Sequence, residues 1–266
     1  MDDEVLVDDV DGVVTITLNR PERKNAIPAR LWGELRELFQ SLGYRSDVRV
    51  VVLTGAGGDF CSGADVGEFG GAGSANAPAE PQRHVVQSMR NIGDCCLALH
   101  DLPQPTIARV DGVAAGAGAN LALACDLVVA SDQARFCEIF AKRGLSVDFG
   151  GSWILPRLVG LHKAKELVFL TPMVPADEAR SIGLVNKVVP VAELDAAVDE
   201  WARALASGPP VALGLSKVML NQSFDKTLQQ ALVDEGRAQA INGATADTAE
   251  AARAWFDKRD PRFIGR

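Results

Sequence analysis

Asp111-Gly112-Val113-Ala114-Ala115-Gly116-Ala117-Gly118-Ala119-Asn120-Leu121-Ala122-Leu123-Ala124-Cys125-Asp126 is the stretch on which the fold turns. It reads as a strand that ends in a small-residue turn and then opens a helix. Fifty residues upstream, Phe60-Cys61-Ser62-Gly63-Ala64-Asp65 has the same character. Small residues let a ligand approach the backbone closely. The first turn of a helix presents unpaired N–H groups and a positive dipole end. Two such turns facing each other place two N–H donors on one developing negative oxygen, an oxyanion hole. Taken alone, Phe60–Asp65 is read equally well as a tight turn capped by Asp65. Gly116-x-Gly118 resembles the start of a dinucleotide fingerprint, but the third glycine position holds Leu121 and no early βαβ unit surrounds it. There is no phosphate-loop lysine and no G-x-S-x-G elbow.

Outward from these turns the pattern alternates strand and helix. Val5–Asp8 and Val13–Asn19 predict a strand pair turned at Asp11-Gly12, with Val14, Ile16 and Leu18 on one face. Pro28 opens a helix whose apolar face is Leu31, Leu35, Leu38 and Leu42, ending at Gly43. Val48–Thr54 is a continuous apolar run, expected of a strand covered on both faces. Gly67 to Arg83, rich in Gly, Ala, Ser and Pro, reads as a loop of lid or binding type. A helix then runs to His100, followed by strands at Thr106–Val110 and Leu127–Ala130. Helices are expected at His162–Leu170 and Asp177–Ile182, and a strand at Leu184–Val189. From Val191 to Lys258 the pattern is helical only.

The 266 residues are 47% hydrophobic, enough for a full core, and carry a net charge of −8. That charge argues against nucleic acid as a partner. Met1-Asp2-Asp3-Glu4 has no basic start of a targeting peptide, and the small-apolar run Val113–Cys125 is too short to span a membrane. A cytoplasmic protein is expected. The five cysteines, an odd number without a C-x-x-C pair, fit reduced buried thiols, and the three histidines are too far apart for metal spacing.

The order of these motifs carries a resemblance. Leu18-Asn19-Arg20-Pro21 with Lys24-Asn25-Ala26, then Phe60–Asp65, then Gly112–Asp126, resembles the enoyl-CoA hydratase/isomerase (crotonase) superfamily. Phe136, Gly150-Gly151-Ser152, Pro156-Arg157-Leu158, Ala179-x-x-x-Gly183-Leu184-Val185 and Lys258-Arg259-x-Pro261-x-Phe263 fit as well, so the likeness covers nearly the whole chain. It implies an α/β fold: a spiral of repeated ββα units over residues 1–190, then a helical trimerisation region over residues 191–266. It implies an acyl-CoA thioester substrate, a homotrimer or dimer of trimers, and neither metal nor cofactor beyond the substrate's own CoA. The backbone donors of the oxyanion hole fall on Ala64 and Ala117; many relatives have glycine at the second position. Substrate contacts are implied at Lys24, Ala26, Ala64, Asp65, Val66, Val113, Gly116, Ala117, Asn120 and Phe140.

The departures bear on mechanism. Hydratases similar to this chain use two glutamates, and here those positions hold Asn120 and Phe140, neither of which shuttles a proton. One acid remains in the active-site stretch: Asp148, where isomerases of the family, including phenylacetyl-CoA ring-epoxide isomerases, place a catalytic aspartate. Its neighbours Val147, Phe149 and Trp153 suit a partly desolvated acid, while the flanking glycines leave a loop-capping role open. Glu138 is the secondary candidate, sharing a face with Phe140 if that stretch is extended. Asp65 and Asp126 read as structural. Three activities follow in order: isomerisation of an enoyl-CoA or ring-epoxide acyl-CoA through Asp148; hydration of a trans-2-enoyl-CoA in fatty-acid degradation, with water held by Asn120 or Glu138; and silent acyl-CoA binding.

Overall fold

The structure, a computed structural model, describes residues 3–65 and 85–266. Val66 and the loop expected at Gly67 to Arg83 lie outside the described residues. Strands β1 (Val5–Val10) and β2 (Val13–Leu18) form the expected antiparallel pair. Its turn places Asp11 and Gly12 at φ of 52° and 80°, which favours the glycine. In β2 the alternate residues Val14, Ile16 and Leu18 are buried, as period-2 patterning requires. Helix α1 (Ala29–Gly43) buries Leu31, Trp32, Leu35, Phe39 and Leu42 along one stripe. Strand β3 (Val50–Gly55) is buried on both faces through Val50 to Leu53, which accounts for its unbroken apolar run.

After helix α2 (Val85–His100) the chain repeats a unit of two strands and a helix. Strands β4 (Thr106–Val110) and β5 (Val113–Ala115) lead into helix α3 (Ala117–Leu123). Strands β6 (Leu127–Ser131) and β7 (Arg135–Cys137) lead into helix α4 (Gly151–Leu170). The first strand of each unit joins one sheet and the second joins another. The larger sheet runs β1-β2-β3-β4-β6-β9, with β9 at Lys187–Val189. The smaller runs β5-β7-β8, with β8 at Val174–Pro175. Cys61 pairs in parallel with Ala114, so the Phe60–Asp65 turn is the same second step of the unit begun by β3. Each turn of this spiral therefore ends at the small sheet, and the two glycine-rich stretches become stacked neighbours.

Three differences from the sequence reading have local causes. Helix α4 starts eleven residues before the expected His162, because Pro156 and Gly160 read as breakers. Gly160 does break it: with φ 75° and ψ 159° it divides α4 into two stretches. The expected strand at Leu184–Val189 is confined to β9, since Leu184 and Val185 are buried in the turn after helix α5 (Ala176–Ser181). Helix α6 (Leu194–Ala206) lies beyond residue 191, yet buries Leu194, Ala197, Val198 and Ala202 against Val50, Val52, Ile107 and Val129 of the large sheet. The core thus continues across that point in the chain. Helices α7 (Pro210–Asn221), α8 (Leu228–Gly243) and α9 (Ala246–Asp257) complete the C-terminal part.

Candidate active site

The first turn is held from below by the Leu18–Ile27 segment. Asn25 is buried, with φ 56°. Its Nδ2 donates to the carbonyls of Ala56 (2.8 Å) and Asp59 (2.7 Å), and its Oδ1 accepts from the Arg20 N–H at 2.9 Å. Arg20 in turn donates to the Ala26 carbonyl at 2.6 Å and pairs with Asp65 at 3.0 Å. Ile27 N–H donates to the Gly63 carbonyl, and Asp65 N–H donates to the Ile27 carbonyl. This short parallel ladder brackets Ala64, so the Ala64 N–H points to the opposite side, away from Ile27.

The second turn meets it there. Phe60 and Cys61 N–H groups both donate to the Val113 carbonyl, and Ala115 N–H donates to the Cys61 carbonyl. Gly116 (φ 53°, ψ −129°) precedes helix α3, and Ala117 is that helix's first residue. A Cβ on Gly63 would lie 2.9 Å from the Ala115 carbonyl oxygen and 3.6 Å from the Ala117 nitrogen. A Cβ on Gly118 would collide with the Cys61 carbonyl oxygen. Only glycine permits so close an approach of the two backbones. Among the described residues, neither the Ala64 N–H nor the Ala117 N–H has an acceptor. Two free donors on adjacent turns are what an anionic oxygen requires.

The acids converge one helical turn along α3. Asn120 is fully buried. Its Nδ2 donates to the Asp148 main-chain carbonyl at 2.9 Å and makes a longer contact of 3.4 Å with Glu138 Oε2. A carbonyl only accepts, so this bond fixes which end of the amide faces Asp148. Gly151 makes room for the amide: a Cβ there would lie 2.6 Å from Asn120 Oδ1. Asp148 Oδ1 is buried and has no hydrogen-bond partner among the described residues. Burial lifts the Asp148 carboxyl to about 6. Glu138 is buried too and is lifted to about 7, chiefly by desolvation, with the Asn120 hydrogen bond opposing the rise and the Asp148 charge adding to it. Two carboxyls of raised proton affinity thus share one side of the site, a pattern associated with acid–base chemistry.

The remaining expected residues occupy the rim and walls. Phe140 is buried, and a Cβ on Gly116 would lie 3.7 Å from its ring, so it walls the second turn. Val113 N–H donates to Asp59 Oδ1, and Lys24, largely exposed, pairs with Asp59 Oδ2 at 2.9 Å. Asp65 is held by Arg20, and Asp126 accepts from Thr106 N–H and Oγ1 and pairs with Lys217. Both therefore stand in structural pairings. The extended stretch that would set Glu138 and Phe140 on one face is absent. Glu138 instead precedes a short 3-10 turn, Ile139–Arg143, which turns both side chains inward. Sequence reasoning missed the convergence of Glu138 on Asn120. The available signal was Phe136 and Glu138 two residues apart at the end of one strand. No group of three or more His, Cys, Asp or Glu suited to a metal ion occurs among the described residues.

A ββα spiral with paired backbone donors and carboxyls of raised proton affinity has the parts of an acid–base enzyme that stabilises an oxyanion, and comparison with known proteins gives the family. Residues 8–266 match the family model described as "Enoyl-CoA hydratase/isomerase". The chain is 37% identical over 255 residues to 1,2-epoxyphenylacetyl-CoA isomerase of Escherichia coli, covering 96% of each chain. It is 34% identical to the short-chain-enoyl-CoA hydratase of Clostridium acetobutylicum, over 96% of this chain and 95% of that one. An enoyl-CoA hydratase structure from Bacillus anthracis superposes with a TM-score of 0.91 at 34% identity, covering 99% of this chain and all of the other. The chain belongs to the enoyl-CoA hydratase/isomerase family and has the crotonase fold.

Proposed function

We propose that the protein isomerises an acyl-CoA thioester, an enoyl-CoA or a ring-epoxide acyl-CoA, with Asp148 as the single proton shuttle. The observation that carries this reading is Asp148: a half-buried residue whose carboxylate Oδ1 is buried and unpartnered, and whose main-chain carbonyl is tied to the helix that begins at Ala117. For an enoyl-CoA the step balances with this carboxylate alone. Asp148 takes a proton from the α-carbon, and the C–H electron pair moves into the thioester carbonyl. The enolate oxygen accepts hydrogen bonds from Ala64 and Ala117. The same acid, its proton exchangeable with solvent, then delivers a proton to the γ-carbon as the double bond moves into conjugation. Each backbone donor is worth roughly 3–4 kcal/mol toward the enolate. No metal or organic cofactor enters, and CoA is carried by the substrate. The isomerase relative from Escherichia coli, alike over 96% of its length, supports this choice. We place the enzyme in the cytoplasm as a trimer or dimer of trimers, assembled through the C-terminal helices.

A second reading, hydration, is favoured by one observation: Glu138 supplies a second buried carboxyl beside Asp148. Water addition uses two such groups, one to activate water and one to deliver a proton. Product analysis separates the readings. Incubation with cis and trans, β,γ- and α,β-enoyl-CoAs in deuterated water is expected to yield double-bond isomers carrying deuterium. Formation of 3-hydroxyacyl-CoA instead establishes the hydratase reading. Tight CoA-ester binding with no product establishes a silent binder.

A further inference from the structure

We infer that Asn120 and Glu138 are positioning residues for Asp148: the Asn120 amide ties the Asp148 main chain to helix α3, and the Glu138 carboxyl orients that amide. The inference rests on Asp148 being the base. The turn that carries Asp148 is costly to hold. Phe149 has φ 47° and Gly150 φ 73°, two successive residues in the left-handed region, the first with a bulky side chain. Such conformations persist where surrounding structure over-determines them, and they cluster at functional sites. Besides the local Gly151 N–H, which donates to the Asp148 carbonyl at 3.0 Å, three contacts from elsewhere in the fold determine this one. Asn120 Nδ2 holds the Asp148 carbonyl, Cys96 Sγ lies 3.5 Å from the Phe149 carbonyl oxygen, and the Phe149 ring packs on Trp32 with centroids 5.2 Å apart.

Of the three, the Asn120 contact alone starts from the helix that presents Ala117. It therefore sets the base relative to the oxyanion donors, not merely relative to the core. The Asp148 carbonyl already selects the Nδ2 end of the amide, and a second partner on that same nitrogen holds its angle. Glu138 Oε2 is that partner. The contact asks of Glu138 only an acceptor oxygen, which a neutral carboxyl or a carboxamide supplies equally well. This separates positioning from proton transfer: glutamine replaces glutamate as a hydrogen-bond partner, never as an acid or base.

The test uses solvent deuterium exchange and turnover of 3-hexenoyl-CoA by the full-length enzyme. Asp148→Asn, Glu138→Gln, Glu138→Leu and Asn120→Ala are compared with the parent, each checked for native fold by circular dichroism. Expected are near-parental kcat for Glu138→Gln, within roughly threefold, and a kcat lowered roughly 10- to 100-fold for Glu138→Leu and Asn120→Ala, with KM changed little, as misplacement of a base predicts. If Asn120→Ala does not fold, the two Glu138 variants decide. Glu138→Gln as inactive as Glu138→Leu overturns the inference, since glutamate is then needed as an acid. So does parental kcat in Glu138→Leu. Failure of the underlying reading has a separate sign, full activity in Asp148→Asn.

Discussion

At the scale of single residues the site turns on carboxyls kept from water. Asp148 must be ionised to accept a proton, and burial lifts it to about 6. Activity is therefore expected to fall as pH drops through that value, approaching tenfold per unit below it, in a pH profile of kcat/KM. The same burial has a consequence for stability. Glu138 and Asp148 both hold their protons more tightly folded than unfolded. In the window from about pH 4 to about pH 7 the native state thus binds more protons than the unfolded one, so stability decreases as pH rises through it. Each neutralising change, Asp148→Asn or Glu138→Gln, removes a carboxylate desolvation cost of order 2 kcal/mol at pH 8. Thermal melts at pH 5 and pH 8 are expected to show the parental Tm lower at pH 8, and that drop reduced in each variant. A parental Tm that rises between those pH values contradicts the assignment.

At the scale of elements the site is a contact between two strand-to-helix turns, and glycine is what lets them touch. Gly118 is helical, so its requirement is steric rather than conformational: a methyl there meets the Cys61 carbonyl oxygen. Gly118→Ala is expected to cost roughly 1–3 kcal/mol in stability, the usual penalty of overpacking. It is also expected to lower kcat at pH values where Asp148 is fully ionised, because it separates the two donors. Urea titration and steady-state kinetics measure the two effects. A stable, fully active Gly118→Ala enzyme removes the close approach from the account. Much of this contact was legible in the chain, because a run such as Val113–Ala119 with two glycines and four alanines has few uses other than close backbone approach. Asn25 was not legible as the staple of the first turn, since its partners Ala56 and Asp59 are brought to it only by the sheet. Nor was the Asn120–Glu138 contact, which depends on a 3-10 turn too short to leave a periodic trace.

At the scale of the molecule, the C-terminal helices carry apolar side chains that the single chain leaves in water. Phe224, Leu228, Trp255 and Phe256 are each exposed by more than two thirds of their surface. Exposed apolar side chains of this size suit an interaction surface. They support assembly into three or six chains, to be measured by light scattering at low micromolar concentration, where a clean monomer contradicts it. The sequence pattern made this part legible as helical. It left α6 undistinguished from α7 to α9, because the partner of its apolar face, the large sheet, is distant in sequence. No helix of the described residues is long and apolar enough to cross a membrane.

All three scales meet in the claim that Asp148 moves the proton while Ala64 and Ala117 hold the oxygen. The most direct measurement is the rate of solvent deuterium incorporation at the α-carbon of 3-hexenoyl-CoA by the parent and by Asp148→Asn, with CoA-ester affinity measured alongside. The account predicts exchange slowed roughly 10²–10⁴-fold with affinity little changed, the range of positioned acid–base catalysis. Exchange at the parental rate in Asp148→Asn contradicts it.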